Sequence, residues 1–339
     1  MKGAPTLKDI ARRLGISIAT VSRALQDSYE IGEATKKKVV QLAKELNYQP
    51  NPYASSLRRR VSKTIAVVLP EVADSFFSLA INGIESVALE KGYHVLIYLT
   101  HESLEREKAI LAEFKSGRVD GILISVSEET ATGGHILEIM DAGVPVVFFD
   151  RVCEEVDTSQ VVTNDYDCGK LAALHLAEQG CRRISYLCTS PALHISKKRM
   201  DGYREGLKEA GIRFREADIV VCSSSLTANS KLVESILRRK GRPDGFIASV
   251  EKLTTPVYLS CQKLGLQIPS DVKLLSFTNL QAALILQPPL TTITQPAFEM
   301  GAAAARQLFN NLDKKRKYHS NERIVIESRL YPRGSTARH

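Results

Sequence analysis

The sequence lacks features that would place a chain of 339 residues in other classes of protein. It has no apolar run near the roughly 18 residues that a membrane-spanning helix requires. Its first residues, MKGAPTLKDIARRLG, contain no apolar segment like that of a secretory signal, so we expect a cytoplasmic protein with no membrane partner. The six cysteines form no C-x-x-C pair and lie in apolar or helical segments, which predicts buried free thiols.

Motifs for catalysis and for cofactor or metal binding are missing as well. The sequence contains none of the patterns G-x-G-x-x-G, G-x-x-x-x-G-K-[ST] and G-x-S-x-G, which bind dinucleotides, bind phosphates and carry a nucleophile. The seven histidines show neither H-x-x-x-H nor H-x-x-E-H spacing. We therefore expect a protein that is not an enzyme and that uses neither a cofactor nor a metal ion.

The positive charge of the chain is concentrated at its amino end. The net charge is +8, and residues 1–63 hold 13 Lys and Arg against 5 Asp and Glu. The remaining residues hold 33 charges of each sign, so they are neutral as a group. A basic module joined to a neutral one predicts a polyanionic partner for the first module only.

The basic segment has the pattern of a helix-turn-helix. Thr6 and Asp9 form a T-x-x-D capping box that opens an amphipathic helix, and Gly15 supplies the turn that ends it. Ser17 is then placed to cap a second helix, Ile18–Leu25. A third amphipathic helix, at about residues 33–46, is predicted to cover the first two, which gives an all-α module of three helices.

The second helix is the predicted reader of DNA in the major groove. Arg23 can pair with guanine, whereas Ile18 and Ala19 can contact only thymine methyl groups and the shape of the groove. Three hydroxyl side chains are expected to contact phosphates: Ser17, Thr20 and Ser22. Thr20 and Ser22 are also compatible with ordinary positions on a helix surface.

Two prolines interrupt the chain after the third helix. Asn51 can cap, and Pro52 can begin, a short helix over about residues 53–60 that is too short to be stable alone in water. Leu57 is apolar among arginines, the composition of a side chain that wedges into the minor groove. The alternative is that Leu57 packs on the next domain.

The segments TLKDIARRLGISIATVSRAL and LNYQPNPYASSL resemble the headpiece and hinge of the LacI/GalR family of transcription regulators. The resemblance implies a homodimer that represses genes of carbohydrate metabolism from a palindromic operator, with two hinge leucines opening the central base step. Ser55 departs from the family pattern, which often has a polar or basic residue there. The implied DNA-contacting residues are Thr6, Ser17, Ile18, Ala19, Thr20, Ser22, Arg23, Asn51, Tyr53, Ala54 and Leu57.

From residue 64 onward, short apolar strands alternate with amphipathic helices, which predicts parallel sheets covered on both faces. The number of such units favours two lobes, with a ligand bound at the carboxyl ends of the strands between them. The predicted strands are residues 65–69, 94–98, 121–125, 144–149, 184–188, 219–222, 245–248 and 273–276.

This second part resembles the periplasmic sugar-binding fold, as the family implies. We expect a headpiece at residues 1–49, a hinge at 50–63 and an effector-binding, dimerising domain at 64–339. Its first lobe would take about residues 64–162 and 290–320, and its second about 163–289 and 321–339. The chain would then cross between the lobes near residues 162, 289 and 321.

Matching positions suggest which residues bind the small molecule, and the sequence RMDGY at residues 199–203 fits the family pattern R-x-x-G-[YW]. Arg199 would hold the ligand, the alternative being an arginine on the lobe surface. Two usual patterns, A-N-D and G-Y-D-D, are replaced by SVE at 249–251 and SFTN at 276–279. We therefore expect a pocket less negative than is usual in the family. The effector is expected to be a sugar, a sugar acid or a sugar phosphate, and we hypothesise one of the two charged classes. The implied pocket residues are Phe76, Phe77, Asp150, Arg151, Arg199, Val250 and Thr278.

Overall fold

The computed structural model describes residues 5–48, 61–191, 193–313 and 321–338. The chain divides into two compact units, Met1–Arg60 and Val61–His339, which we call the headpiece and the body. In the part of the chain that is described, no helix has the length and apolar character needed to cross a membrane.

The headpiece contains three helices, α1 (Leu7–Leu14), α2 (Ile18–Leu25) and α3 (Glu33–Glu45), as the sequence predicts. Asp9 accepts hydrogen bonds from the N–H (3.0 Å) and the hydroxyl (2.7 Å) of Thr6, so Thr6 and Asp9 cap the amino end of the first helix. Gly15 ends α1 in the left-handed conformation (φ 63°). The buried core of these helices consists of small and medium side chains: Ile10, Ala11, Val21, Ala24, Val39 and Ala43.

The body contains two six-stranded sheets, and each sheet with its helices forms one lobe. The strand order is β11-β5-β4-β3-β1-β2 in lobe 1 and β12-β10-β9-β8-β6-β7 in lobe 2. Every paired strand runs parallel to its neighbours except β12, which is antiparallel to β10. The strands are β1 (Thr64–Leu69), β2 (His94–Leu99), β3 (Gly121–Ile124), β4 (Val146–Phe149), β5 (Gln160–Thr163), β6 (Ile184–Cys188), β7 (Ile219–Val221), β8 (Gly245–Ala248), β9 (Lys273–Phe277), β10 (Thr291–Thr294), β11 (Arg323–Ile326) and β12 (Arg329–Tyr331).

Helices cover both faces of each sheet, which confirms the predicted two-lobed α/β fold. In β1, alternate residues enter different apolar cores, Ile65 and Val67 in one and Ala66 and Val68 in the other. The helices of the body are α4 (Ser75–Glu90), α5 (Leu104–Phe114), α6 (Gly134–Asp141), α7 (Asp165–Glu178), α8 (His194–Glu209), α9 (Leu226–Leu237), α10 (Thr254–Leu264) and α11 (Ala297–Leu312).

Two of the three crossings between lobes lie later in the chain than the sequence suggests. Strand β10 belongs to the second sheet, so the crossing expected near residue 289 falls between Thr294 and Ala297. Strand β11 pairs in the first sheet and β12 in the second, so the crossing expected near 321 falls between Ile326 and Arg329. Both strands have only four residues, and only their hydrogen-bonded neighbours decide which sheet they join.

Helices α7 and α8 approach each other closely at two glycines. A Cβ on Gly169 would lie 2.0 Å from the carbonyl oxygen of Arg199, and one on Gly202 would lie 1.9 Å from that of Tyr166. Neither position has room for a side chain, so glycine lets the two backbones touch. This contact places Arg199 of α8 beside Asp165, the first residue of α7.

All six cysteines are free and buried, as expected from their apolar surroundings. Burial raises the pKa values of Cys168 and Cys188 to about 11. A thiol with a pKa this high stays protonated at neutral pH, so these cysteines act as small apolar side chains of the core.

Candidate functional site

Helix α2 of the headpiece exposes one face and buries the other. Val21 and Ala24 are buried against α1 and α3, whereas Ile18, Ala19 and Arg23 are exposed. The side chain of Ile18 is 39% exposed although it is apolar. The three residues predicted to read bases therefore lie on the free face of this helix, where a DNA groove could reach them.

The hydroxyl residues at the start of α2 already have internal partners. Ser17 accepts a hydrogen bond from the N–H of Thr20 at 3.0 Å, and the two hydroxyls lie 2.8 Å apart. Their lone pairs and protons remain partly available, since each hydroxyl has more bonding capacity than this contact uses. Ser22 is half-buried and Thr6 is exposed but bonded to Asp9. Their contacts with phosphate stay predictions.

Arg23 forms an ion pair with Glu30, with 2.9 Å between the guanidinium nitrogen and the carboxylate oxygen. Both side chains are about half exposed, at 58% and 46%. An exposed pair of this kind is worth little, so the guanidinium can exchange Glu30 for a guanine edge at small cost. The predicted hinge contacts Asn51, Tyr53, Ala54 and Leu57 fall outside the described residues.

A cavity lies between the two lobes of the body, with a volume of about 540 Å³ including the part open to solvent. It is formed mainly where strands end, at the carboxyl edges of the two sheets, as parallel sheets predict. All seven residues that the sequence suggested for the effector line it. The residues that line it include Asp74, Phe76, Phe77, Asp150, Arg151, Arg199, Val250, Glu251, Phe277, Thr278, Asn279 and Gln295.

Arg199 is buried and is not an arginine of the lobe surface, since only 4% of it is exposed. Its Nε donates to Asp165 at 2.8 Å, one Nη donates to the carbonyl of Ser249 at 2.7 Å, and the guanidinium lies 4.3 Å from the ring centre of Phe277. The other nitrogen, Nη2, has no hydrogen-bond partner among the described residues. A buried donor without a partner is unfavourable, so this nitrogen is a natural contact for a ligand oxygen.

Asp150 and Arg151 enter the cavity from the end of β4. Asp150 has a positive φ (62°) and accepts a hydrogen bond from the amide of Gln295 at 3.3 Å. Burial raises the pKa of Asp150 to about 6, against the opposing charges of Arg151 and Arg199. Arg151 binds both carboxylate oxygens of Glu102, at 3.0 and 2.8 Å. Its charge is thus neutralised before any ligand arrives.

Glu251 is a cavity residue that the sequence analysis did not select. It accepts hydrogen bonds from the hydroxyls of Ser75 and Thr278, and from the N–H of Ser75 at 3.4 Å. Its carboxylate therefore restores a negative charge beside Thr278, where the sequence suggested that an acidic group had been lost. The signal was the glutamate in SVE itself, because one extra methylene lets this side chain reach further than an aspartate.

The cavity lining carries more acidic than basic side chains. Its carboxylates are Asp74, Asp150 and Glu251, against the guanidinium groups of Arg151 and Arg199. Burial, with the neighbouring charge of Glu251, raises the pKa of Asp74 to about 6. Both arginines are also paired with acidic groups outside the lining. The expectation of a pocket less negative than is usual in the family stays a prediction, since the lining of this chain alone does not test it.

Comparisons with known proteins match both units. Residues 6–51 match the family model described as bacterial regulatory proteins, lacI family, and residues 173–336 match a periplasmic binding protein-like domain. A curated relative, the HTH-type transcriptional repressor PurR of Yersinia pestis bv. Antiqua, is 30% identical over 98% of this chain and 97% of its own.

Two solved structures share the fold over nearly the whole chain. A transcriptional regulator CelR–cellobiose complex has a TM-score of 0.72 and 25% identity, covering 98% of this chain and 99% of its own. A lac repressor dimer bound to operator and the anti-inducer ONPF has a TM-score of 0.84 at 21% identity, covering 99% and 100%.

Proposed function

Because this chain belongs to the LacI family of bacterial regulatory proteins and is a DNA-binding transcription regulator, we propose that it is a dimeric repressor controlled by an uncharged, hydroxyl-rich effector. The observation that carries this proposal is the cavity between the lobes, which offers buried hydrogen-bonding atoms of both kinds and an excess of carboxylates. The exposed face of α2 supports the proposed binding to operator DNA.

The polar atoms in the cavity favour hydroxyl groups as partners. Nη2 of Arg199 is a donor without a partner, and Oδ1 of Asn279 is an acceptor without one among the described residues. Asp150 can accept a further hydrogen bond beside them. A hydroxyl donates and accepts at once, so one class of ligand group satisfies all three positions.

The charges in the cavity disfavour an anion. A phosphate or carboxylate could bind Arg199, but it would face Asp74, Asp150 and Glu251 within the same small space. Like charges in a partly buried site repel each other strongly, because the surroundings screen them poorly. Phe76, Phe77 and Phe277 add apolar surface that suits the C–H faces of a sugar ring. The cellobiose complex of a structural relative fits this class of ligand.

The proposed mechanism couples this cavity to DNA. A dimer would present two copies of Ile18, Ala19 and Arg23 to the two halves of a palindrome, as the lac repressor dimer is bound to its operator. A ligand that prefers one arrangement of the lobes must shift the affinity for operator, typically by about 1–3 kcal/mol of coupling. The operator shifts the affinity for the ligand by the same factor.

A thermal-shift screen with matched ligands tests the effector class, since a bound ligand raises the melting temperature. Each neutral sugar is compared with its own acid and its own phosphate on the full chain. We expect stabilisation by a neutral member and not by its charged counterparts, and loss of that stabilisation in Asn279→Ala. Stabilisation by the acids or phosphates alone would refute the proposed class and leave the DNA-binding role standing.

A further inference from the structure

Glu251 links the two lobes across the cleft. It follows β8 of lobe 2, and it binds Thr278 of the same lobe and Ser75 of lobe 1. Ser75 contributes two donors, its hydroxyl and its backbone N–H. One carboxylate thus accepts three hydrogen bonds from the two sides of the cavity.

The position of Glu251 strengthens this contact. Ser75 is the first residue of α4, and the amino end of a helix attracts negative charge. Asp74 caps the same helix by accepting from the N–H of Phe76 at 2.8 Å, which leaves the N–H of Ser75 for Glu251. Hydrogen bonds to a charged group in a half-buried site are stronger than neutral ones. The contact is therefore built into the fold of the cleft and is not a chance surface pair.

Two pairs of titratable side chains also cross the cleft among the described residues, but they are weaker. Lys252 and Glu71 lie 3.6 Å apart, and both side chains are 36% exposed. His194 lies 2.8 Å from Glu154, which is 64% exposed, and burial lowers the pKa of His194, so its imidazole is largely neutral at pH 7. Exposed pairs contribute little, because water competes for each partner. Glu251 is thus the principal polar link between the lobes among the described residues.

We propose that Glu251 is a latch that holds the lobes closed in the absence of an effector. The carboxylate takes the place of a ligand by binding donors on both lobes. The latch goes beyond the proposed function and rests on it only in taking the lobes to be movable. It does not depend on the identity of the effector.

The latch also limits how a ligand can enter the cavity. A ligand that enters the cavity has to leave the three hydrogen bonds of Glu251 intact or replace Ser75 and Thr278 with donors of its own. Hydroxyl groups can do so, and phosphate or carboxylate groups cannot, because they have no proton to give at neutral pH. The part of a ligand that displaces Ser75 and Thr278 therefore has to carry a hydroxyl group or another donor, whatever the charge elsewhere on the ligand.

A distance measurement between the lobes tests the latch directly. Thr132 of lobe 1 and Ser224 of lobe 2 are exposed and follow the carboxyl ends of β3 and β7, so spin labels on Thr132→Cys and Ser224→Cys report opening. The six native cysteines are buried and need not be removed. Labelled chains are diluted into an excess of unlabelled full-length protein, so that distances between protomers do not contribute.

The variants compared are Glu251→Ala, Ser75→Ala and a matched control, Glu234→Ala. Glu234 is also a lobe 2 glutamate with a largely buried side chain (14% exposed), but its partner, Lys263, lies in the same lobe. We expect a single short distance in the parent protein without ligand and in the control. In Glu251→Ala the ratio of closed to open molecules should fall about tenfold or more.

Ser75→Ala removes only the lobe 1 hydroxyl and should cause part of that opening. Combined with Glu251→Ala, it should add nothing, since both changes break the same contact. An unchanged distance distribution in Glu251→Ala would overturn the proposal. So would full additivity of the two substitutions, or an equal opening in the Glu234 control.

Discussion

The headpiece and the body use their polar side chains in opposite ways. In the headpiece, the residues proposed to bind DNA lie on an exposed face, and Arg23 is held only by a half-exposed pair with Glu30. In the body, the residues of the cavity are buried and held by internal partners, as Arg199 is by Asp165. A change in the headpiece surface should therefore alter recognition alone, whereas a change in the cavity should alter stability as well.

The two units also differ in the size of their apolar cores. The described headpiece helices share one small core built largely of alanine and valine. The body has four apolar clusters that cover both faces of two sheets. Because small cores leave little reserve of stability, one lost methyl group matters more in the headpiece than in the body.

The largest effect is expected from Arg199→Ala in the body. The substitution leaves the carboxylate of Asp165 buried without its cation, and it removes the donor to Ser249. Breaking a buried pair from one side costs about 3–5 kcal/mol. Thermal unfolding should show a much lower melting temperature of the body and no response to ligand.

The control for this change is Arg204→Ala, an arginine of the same helix whose side chain is 38% exposed. It should leave the melting temperature nearly unchanged. A melting temperature of Arg199→Ala equal to that of this control would show that polar side chains of the cavity contribute no more to stability than exposed ones do.

The second effect is a gain of stability in Asp150→Asn. The pKa of Asp150 is raised to about 6 in the folded protein, from the ordinary value of 3.8. A raised pKa means that protonation stabilises the fold below about pH 4, and this stabilisation is lost as the pH rises through 6. Asparagine keeps the neutral form at every pH and accepts the positive φ.

The variant should therefore unfold at higher denaturant concentration than the parent at pH 7.5, by on the order of 2 kcal/mol. The difference should disappear near pH 4. A constant difference between these two pH values would show that burial does not control the charge of Asp150.

The third effect concerns the small core of the headpiece. Val21→Ala removes two methyl groups from a site that is fully buried between the helices, at a cost of about 2 kcal/mol. Operator binding at 37 °C should weaken strongly, while ligand binding to the body stays unchanged. Val40→Ala, at an exposed position on α3, is the matched control. Equal losses in both variants would argue against a marginal headpiece core.

The smallest effect is expected from substitution of Arg23, the exposed residue proposed to contact a guanine base. Arg23→Ala should cost about 1–2 kcal/mol of discrimination between operator and random DNA, because the guanidinium first has to leave Glu30. The fold of the headpiece, followed by circular dichroism, should not change. Arg12→Ala, whose side chain is 80% exposed on α1, should not change the ratio of the two affinities. A parallel fall of both affinities in Arg23→Ala would make this residue a phosphate contact.

The sequence was sufficient for the elements whose pattern is local. Capping and turn residues such as Thr6, Gly15 and Ser17 define α1 and α2 to the residue. The third helix, expected at about residues 33–46, lies at Glu33–Glu45. Four short strands were missed, because segments of three or four residues carry too little periodicity to distinguish a strand. They are Gln160–Thr163, Thr291–Thr294, Arg323–Ile326 and Arg329–Tyr331.

The sequence was insufficient to predict features that depend on contacts between residues far apart in the chain. Nothing local tells whether Thr291–Thr294 pairs in the first or the second sheet. The role of Glu251 depends on Ser75, which lies 176 positions away in the chain, so its contact could not be read from the order of residues. Arg199 was selected from its motif, but its burial and its partner Asp165 came only with the packing of α7 on α8.

The most direct test of the account is the operator affinity of the full-length protein with and without a sugar that binds the cavity. A palindromic duplex selected by binding is titrated beside a scrambled duplex of equal length and charge, at one fixed salt concentration. Two chains should bind per palindrome, at least about 1,000-fold more tightly than the scrambled duplex. The sugar should change only the palindrome affinity, by about 5- to 150-fold. Equal affinity for the two duplexes, with no change when a cavity ligand is added, would contradict the proposed coupling between effector and operator.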